Sequence, residues 1–475
     1  MLNFLLIKFV KFKMKGRVIM LKDDKLSFIY NTGNNIARFM SISPEYKIRH
    51  INIDKEYFST GDIKEHILNL INVSSRKSVN IRSFSEECVK SNRFVYGKKL
   101  EDIDEIIDII KENCAAGKYS IVNETIDVND GGVSGVIMGN IIEFSPNDTP
   151  RCVEKEGVCR LPLNLGLHML KTVYGFSPEY SFGDNYRTEF SIHPNREGLR
   201  EGHTIIWEYE EMEKTEFDIK ISYPNNFSKF IGDKVFGLLL ADFYKFNVPY
   251  TTVICRNVAP FTFGKLTGLN EKWIRTSPIV KESGKYFTGN KWQDPFKLII
   301  EEEGKGDKDI NISSILSQSA VNPIYSGGAI ISSNSHHIEG VSGKGDEFML
   351  GNDNFTKLPI KLKRELEYEF TKLSTLNDIL GDVSVEWVYD GSKIWIVQLN
   401  QLKHTSKGNI IVKGNPSEYM DFDVRKGLNE LRVLINSIKD KNVGVKLIGN
   451  VGITSHFGDI LRQFDIPSFI ENIPV

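Results

Sequence analysis

The chain has 475 residues, with 60 Lys plus Arg against 62 Asp plus Glu and a formal charge of −2. That near-balance excludes nucleic-acid binding through bulk charge, and 40% hydrophobic with 11% aromatic residues excludes an intrinsically disordered chain. At about 100–200 residues per domain, the length predicts roughly two to four units.

The chain opens on an apolar run at 1–10, with Lys8 inside it and Lys11, Lys13 and Lys15 after it. The run is about half of the ~20 residues that a membrane span needs, and its charge follows the apolar stretch instead of preceding it as in a secretion signal. Met14 and Met20 are alternative starts, so 1–24 is expected to be an extension outside the fold, with no membrane span and a cytoplasmic location. The five cysteines (Cys88, Cys114, Cys152, Cys159 and Cys255) are scattered and form no CxxC pair, which speaks against a zinc site or a disulfide framework.

Short β-rich runs at 78–82, 120–123, 134–138 and 140–144 alternate with amphipathic helical stretches at 102–113 and 163–173. Loops rich in Gly, Asn and Asp fall at 127–132, 146–150, 304–309 and 351–354. The alternation predicts mixed α and β layers. A sequence of features occurs twice. Asn80-Ile-Arg-Ser-Phe84, Ile121-Val-Asn-Glu124 and Ser134-Gly-Val-Ile137 precede a helix and the hairpin 188–192/204–208. Later come Trp273-Ile-Arg-Thr-Ser-Pro278, Ile315-Leu-Ser-Gln318 and Ser326-Gly-Gly-Ala-Ile330, then a helix at 362–374 and the hairpin 385–387/394–398. The order predicts a divergent tandem duplication over 25–215 and 228–404. The remainder, 405–475, predicts a small α/β domain with strands at 409–412 and 443–448 and a helix at 424–438.

The second half carries the fuller set of chemical groups. Gly232-Asp-Lys234 opens a helix, where a lysine and the helix N-terminus can meet a phosphate. Arg275 offers a planar fork suited to phosphate oxygens. Glu386 and Gln398 face each other across a hairpin turned at Gly391-Ser392, where two oxygen ligands can share a cation such as Mg²⁺. Glu339 and Gly343-Lys-Gly-Asp346 add an acidic, Gly-rich loop. Each has a plainer reading as a solvated charge, a cross-strand polar pair or a turn. In the tail, Thr454 and Ser455 can cap a helix that begins beside His456, whose neutral imidazole is a good phosphoryl acceptor.

Lys234, Arg275, Gln318, Ser326-Gly327, Ile338-Glu-Gly-Val341 with Gly343-x-Gly345-Asp346, Val385-Glu-Trp387 and Ile396-Val-Gln398 resemble, in order, the ATP-grasp nucleotide-binding domain of the phosphoenolpyruvate synthase, pyruvate phosphate dikinase and rifampin phosphotransferase family. Gly452-Ile-Thr-Ser-His456, Ile460-Leu-Arg462 and Asp465-Ile-Pro-Ser468 resemble the same family's mobile phosphohistidine domain. The resemblance implies an ATP-grasp-like α+β fold in two divergent copies, followed by a small swivelling phosphohistidine-like domain. It implies ATP and Mg²⁺ as cofactors, with Lys234 and Arg275 on phosphates, Gln318 and Glu339 at the nucleotide, and Glu386 and Gln398 on the metal. His456 would carry a phosphoryl group, supported by Thr454 and Ser455, to an acceptor that is a small molecule or a protein.

Several positions depart from the pattern. Asn400-Gln401 stands for Arg-Pro and Phe457-Gly458 stands for Ala-Ala, and a phosphoenolpyruvate-binding barrel is not expected. In the first half, 31–37 reads as a worn opening motif with Asn35 in the lysine's place, while Arg82, Glu124, Glu189 and Glu208 fill equivalent positions. Arg82 is thereby a nucleotide-binding candidate, and the readings for this half are weak nucleotide binding, acceptor binding or support of the other half. The expected activity is dikinase-type phosphotransfer. The alternatives are a nucleotide-binding sensor or scaffold that has lost turnover and an acyl-phosphate-forming ATP-grasp ligase. A homodimer is the candidate oligomeric state.

Overall fold

The computed structural model describes residues 13–14, 17–18, 20–53, 61–85, 93–179, 183, 185–280, 285–305, 311–351, 356–404, 406 and 408–471. The apolar run at 1–10, Cys88 and parts of the loops at 304–309 and 351–354 lie outside these residues. The chain divides into two units: residues up to Lys155 with Pro178–Phe217, and Glu156–Ser177 with the remainder from Asp218. Among the described residues no helix is long and apolar enough to cross a membrane. Cys114, Cys152, Cys159 and Cys255 are free thiols.

The first unit holds two antiparallel sheets. One is built from β1 (Phe39–Ile42), β2 (Ile48–Ile51), β3 (Ser78–Phe84), β4 (Arg93–Lys99) and β5 (Tyr119–Glu124) in the order β2-β1-β5-β3-β4. The other orders β6 (Val133–Met138), β7 (Ile141–Pro146), β8 (Tyr186–Glu197) and β9 (Gly202–Glu211) as β7-β6-β8-β9. Helix α1 (Lys22–Asn31) precedes β1, while α2 (Gly61–Val73) and α3 (Ile103–Ala115) cover one sheet face. Ile63, Ile67 and Ile71 recur every four residues along α2. With Ile106 and Ile110 of α3 they close over Met40, Val79, Ile81 and Val122. Each such side chain contributes about 1.5–3 kcal/mol of burial.

The second unit repeats both strand orders. β10 (Thr251–Cys255), β11 (Phe261–Phe263), β12 (Lys272–Pro278), β13 (Thr288–Gly289) and β14 (Ile312–Ser319) run β11-β10-β14-β12-β13. β15 (Tyr325–Ile331), β16 (His336–Ser342), β17 (Val383–Tyr389) and β18 (Ile394–Gln401) run β16-β15-β17-β18. The helices of this unit include α4 (Leu163–Tyr174), α5 (Asp233–Phe243), α6 (Pro295–Glu303) and α7 (Ile360–Ser374). Counted along the chain, both five-stranded sheets have the order 2-1-5-3-4.

The chain then forms β19 (Ile410–Val412), β20 (Glu418–Asp423), α8 (Gly427–Ile438), β21 (Val443–Ile448), α9 (His456–Gln463) and β22 (Ser468–Glu471). Its sheet is β19-β22-β21-β20, with β20, β21 and β22 parallel. The expected helix at 424–438 begins three residues late, because Val424–Lys426 forms a tighter 3-10 turn. Phe422, Leu431, Ile435, Val445, Leu447 and Phe457 form a core that also takes in Ile330 of β15. Phe457 is fully buried there, which gives the departure from Ala-Ala a packing role. The fold is mixed α and β with several antiparallel sheets.

Candidate nucleotide and phosphoryl-transfer site

In the second unit, α5 starts tightly against β12. Gly232 has φ 101°, and a Cβ there would lie 2.4 Å from Ser277 Oγ, so a side chain is excluded. The close start brings Lys234 Nζ to 2.8 Å from the Thr276 carbonyl. Strand alternation on β12 sends Ile274 into an apolar cluster with Leu298 and Ile315, and Arg275 to the opposite face. The Arg275 guanidinium gathers the expected residues. Nη1 donates to Val397 O at 2.7 Å and Gln318 Oε1 at 3.4 Å. Nη2 donates to Gln398 Oε1 at 2.6 Å and Glu386 Oε2 at 3.3 Å.

Glu386 and Gln398 are directly paired, as the hairpin reading expects. They belong to a longer row, Glu339, Gly328, Glu386 and Gln398, with one residue from each of β16, β15, β17 and β18. Directly opposed residues share a face, so the row lies on one side of the sheet. A cavity of about 490 Å³ is lined by Lys234, Arg275, Asp346, Glu386, Gln398 and His456. A second, of about 230 Å³, runs along Gln318–Pro323 and Lys344–Asp346. Trp273, Arg275, Thr288, Asp346 and Glu386 are common to both.

His456 is the first residue of α9, with its side chain 22% exposed. Its Nδ1 is buried, forms no hydrogen bond and lies 3.5 Å from Asp459 Oδ2. Thr454 and Ser455 do not cap the helix as expected. Ser455 occupies the N-cap position, but its hydroxyl donates to Gly452 O at 2.6 Å, and the Thr454 hydroxyl donates to Glu339 Oε2 at 2.5 Å. Backbone N–H groups of Ile453 and Thr454 also donate to Glu339, at 3.1 and 3.0 Å. Glu339, expected at the nucleotide, is therefore engaged with the 452–455 turn. Burial alone would raise its pKa, but donation by His337 and Thr454 outweighs burial and holds it below the usual range.

Asp346 is pushed above the ordinary carboxylate range, first by burial and then by the charge of Glu386. The sequence places Asp346 in the resembled Gly-x-Gly-acid stretch without giving it a role, and shows Asn400 only as a departure. Period-two alternation from Gln398 was the available signal for Asn400, which lines the larger cavity. Gln401 has a structural role: its amide donates to Ile221 O and Leu380 O and accepts from Tyr223 N–H.

The first unit has a counterpart with different contents. Arg82, Glu189 and Glu208 hold the register positions of Arg275, Glu386 and Gln398, and Asn123 holds that of Gln318. Asn35 is not the lysine's substitute. Its amide clamps Glu197 O and Thr204 O and accepts from Arg200 N–H. The cation is Lys22 of α1, whose Nζ lies 3.1 Å from Glu208 Oε2. Glu124 turns away and pairs with the Arg38 side chain and N–H. The space between Lys22, Arg82, Asn123 and Glu208 is about 30 Å³, room for little more than water. Titration with a non-hydrolysable ATP analogue should therefore give one nucleotide per chain; a second equivalent lost on Lys22→Met would contradict this.

Two other clusters are filled internally. Asp23, Asp24 and His50 have the spacing of a metal site, but the Arg49 guanidinium already donates to both carboxylates. Ser191, His193 and Asp130 form a relay of 2.8 and 2.9 Å. Ser191 is 1% exposed and accepts Trp207 Nε1–H, so its hydroxyl presents no face to a substrate.

No family model matches the sequence, and comparison with the curated proteins finds no match. Among solved structures, the chain is similar to the VanG D-Ala:D-Ser ligase from Enterococcus faecalis, with 11% identity, a TM-score of 0.25, and coverage of 36% of this chain and 52% of that one. It is similar to the D-alanine-D-alanine ligase from Helicobacter pylori, with 10% identity, 37% and 52% coverage and a TM-score of 0.24. It is also similar to a RiPP-associated ATP-grasp ligase from Chryseobacterium gregarium, in complex with ADP and a leader and core peptide, with 12% identity, 36% and 53% coverage and a TM-score of 0.23. The chain spans about half the length of each, and likeness at this level fixes neither its fold nor its chemistry.

Proposed function

We propose that the second unit is an ATP-grasp-type nucleotide site served by its own histidine phosphoryl carrier, and that the protein is an ATP-dependent phosphotransferase of the dikinase type. The observation that carries this reading is that His456 lines the same cavity as Lys234, Arg275, Glu386 and Gln398. The proposed organisation is two tandem divergent copies at 25–215 and 228–404, followed by the histidine domain at 405–475. The repeated strand orders support it.

In this reading the adenosine occupies the smaller cavity beside 318–323, and the triphosphate crosses Arg275 toward His456. Asp346, Glu386 and Gln398 can supply three oxygen ligands from the wall of one cavity, so the set fits Mg²⁺ once Arg275 turns from Glu386 and Gln398 to the phosphates. When bound, Mg²⁺ would neutralise phosphate charge. Lys234 and Arg275 would hold the phosphate oxygens in line for attack. The Asp459 carboxylate favours a proton on His456 Nδ1, leaving the Nε2 lone pair as nucleophile. Nε2 forms a bond to the β-phosphorus, the α–β bridging P–O bond breaks, and AMP leaves with the electron pair. The ring then releases its proton and carries a pyrophosphoryl group; water takes the γ-phosphoryl as inorganic phosphate, and the phosphoryl group left on Nε2 passes to the acceptor.

A sensor that binds ATP without turnover is the second reading. It is favoured by the hydrogen bonds from Arg275 to the same Glu386 and Gln398 oxygens that a metal would need. ATP labelled separately at the β and γ positions distinguishes the readings. The dikinase reading expects AMP release with the β label on the protein and the γ label either beside it or recovered as inorganic phosphate. ADP release with only the γ label on the protein would contradict β-attack, and bound but intact ATP would support the sensor. ADP formation that requires an added carboxylate and amine, with no protein label, would indicate a ligase.

A further inference from the structure

We infer that Glu339 is a positioning residue, a latch that holds the 452–455 turn on the nucleotide-binding sheet so that His456 faces the cavity. The inference rests on the phosphoryl-carrier reading of His456 and adds how that histidine is held. One carboxylate receives both backbone N–H groups that lead into α9 and the Thr454 hydroxyl. His337 Nε2, 2.9 Å from Oε1, braces it from the same strand. Donors converging on a single buried carboxylate make a strong and directional contact.

Two glycines make the approach possible. A Cβ on Gly328 would lie 2.6 Å from Thr454 Cβ, and a Cβ on Gly452 would lie 2.2 Å from Glu339 Oε2. Gly328 sits between Glu339 and Glu386 in the transverse row, so the turn rests on a gap with the latch on one side and the proposed metal ligands on the other. The first unit retains the corresponding acid, Glu143, but has Val136 in the glycine's place. The row that could seat a turn is thus open in the second unit, and its counterpart carries a β-branched side chain.

The test uses the full chain and two variants that attack the contact from opposite sides, Glu339→Gln and Gly328→Val. Amide hydrogen exchange across 449–457 reads docking, and acid-labile label from Mg²⁺ and ATP reads phosphoryl transfer. Both variants should exchange faster in this segment and label more slowly, each by about 10- to 100-fold, the weight of a hydrogen bond to a charged group. Affinity for a non-hydrolysable ATP analogue should stay within about threefold, since a change of that size is under 1 kcal/mol. Unchanged exchange in Glu339→Gln, or equal loss of nucleotide affinity and label in both variants, would overturn the latch. Faster exchange in both variants, with no label even on the wild type, would support the latch and remove the phosphotransfer reading.

Discussion

Replacing Arg275 by methionine should weaken ATP binding by roughly 10²- to 10⁴-fold and also destabilise the second unit. The two effects share one cause. The guanidinium spans β14, β17 and β18 through Gln318, Glu386, Gln398 and the Val397 carbonyl. Arg275 is 9% exposed, so methionine fills much of the volume but leaves the Glu386 carboxylate without its cation. Breaking a buried pair from one side costs about 3–5 kcal/mol. The ATP phosphates would also lose one or two charge-assisted hydrogen bonds of about 1.5–3 kcal/mol each. Arg275→Lys should recover charge but not the fork, and fall between the two. Calorimetric titration and thermal unfolding read the two effects. Wild-type affinity in Arg275→Met would remove this residue from the site.

His456→Asn should have the opposite profile. Its Nδ1 makes no hydrogen bond and approaches Asp459 Oδ2 only to 3.5 Å, so the substitution should cost about 1 kcal/mol or less. Nucleotide affinity should persist, because the phosphate-holding groups are elsewhere. Transfer of label to the protein should fall at least about 10³-fold, because asparagine has no nucleophilic nitrogen lone pair to offer. Separation of affinity from transfer is what a carrier predicts. A histidine that merely completes the pocket wall would change affinity instead. Intact-protein mass after incubation with Mg²⁺ and ATP, beside analogue titration, distinguishes the two.

These expectations draw on different amounts of sequence information. The hairpin that carries Glu386 and Gln398 was legible from the Gly391-Ser392 turn, but their direct pairing was not: the turn register sets Glu386 against Val397, and a bulge between Glu386 and Trp387 shifts it by one to Gln398. Arg275 was legible through the two-residue side-chain period. The role of Glu339 was not, because its partners lie 114 and 115 residues away and no local pattern encodes such a contact. Lys22 has no signal in the motif at 31–37, and the reading of 1–24 as an extension outside the fold is corrected at its end, because Lys22 and Asp23 open α1 and are buried. Phe457 and Asn400 read as departures from a motif. Only the packed structure places one in the core of the C-terminal sheet and the other on the cavity wall.

If the second-unit cavity and His456 act as one transfer site, the histidine itself must carry the group taken from ATP. The most direct measurement is to incubate the wild-type chain with Mg²⁺ and ATP, digest it under alkaline conditions that preserve phosphohistidine, and locate the modified residue by mass spectrometry. The expected result is an acid-labile phosphoryl or pyrophosphoryl group on His456. An unmodified His456 in protein that binds ATP, or the group mapped to any other residue, would contradict it.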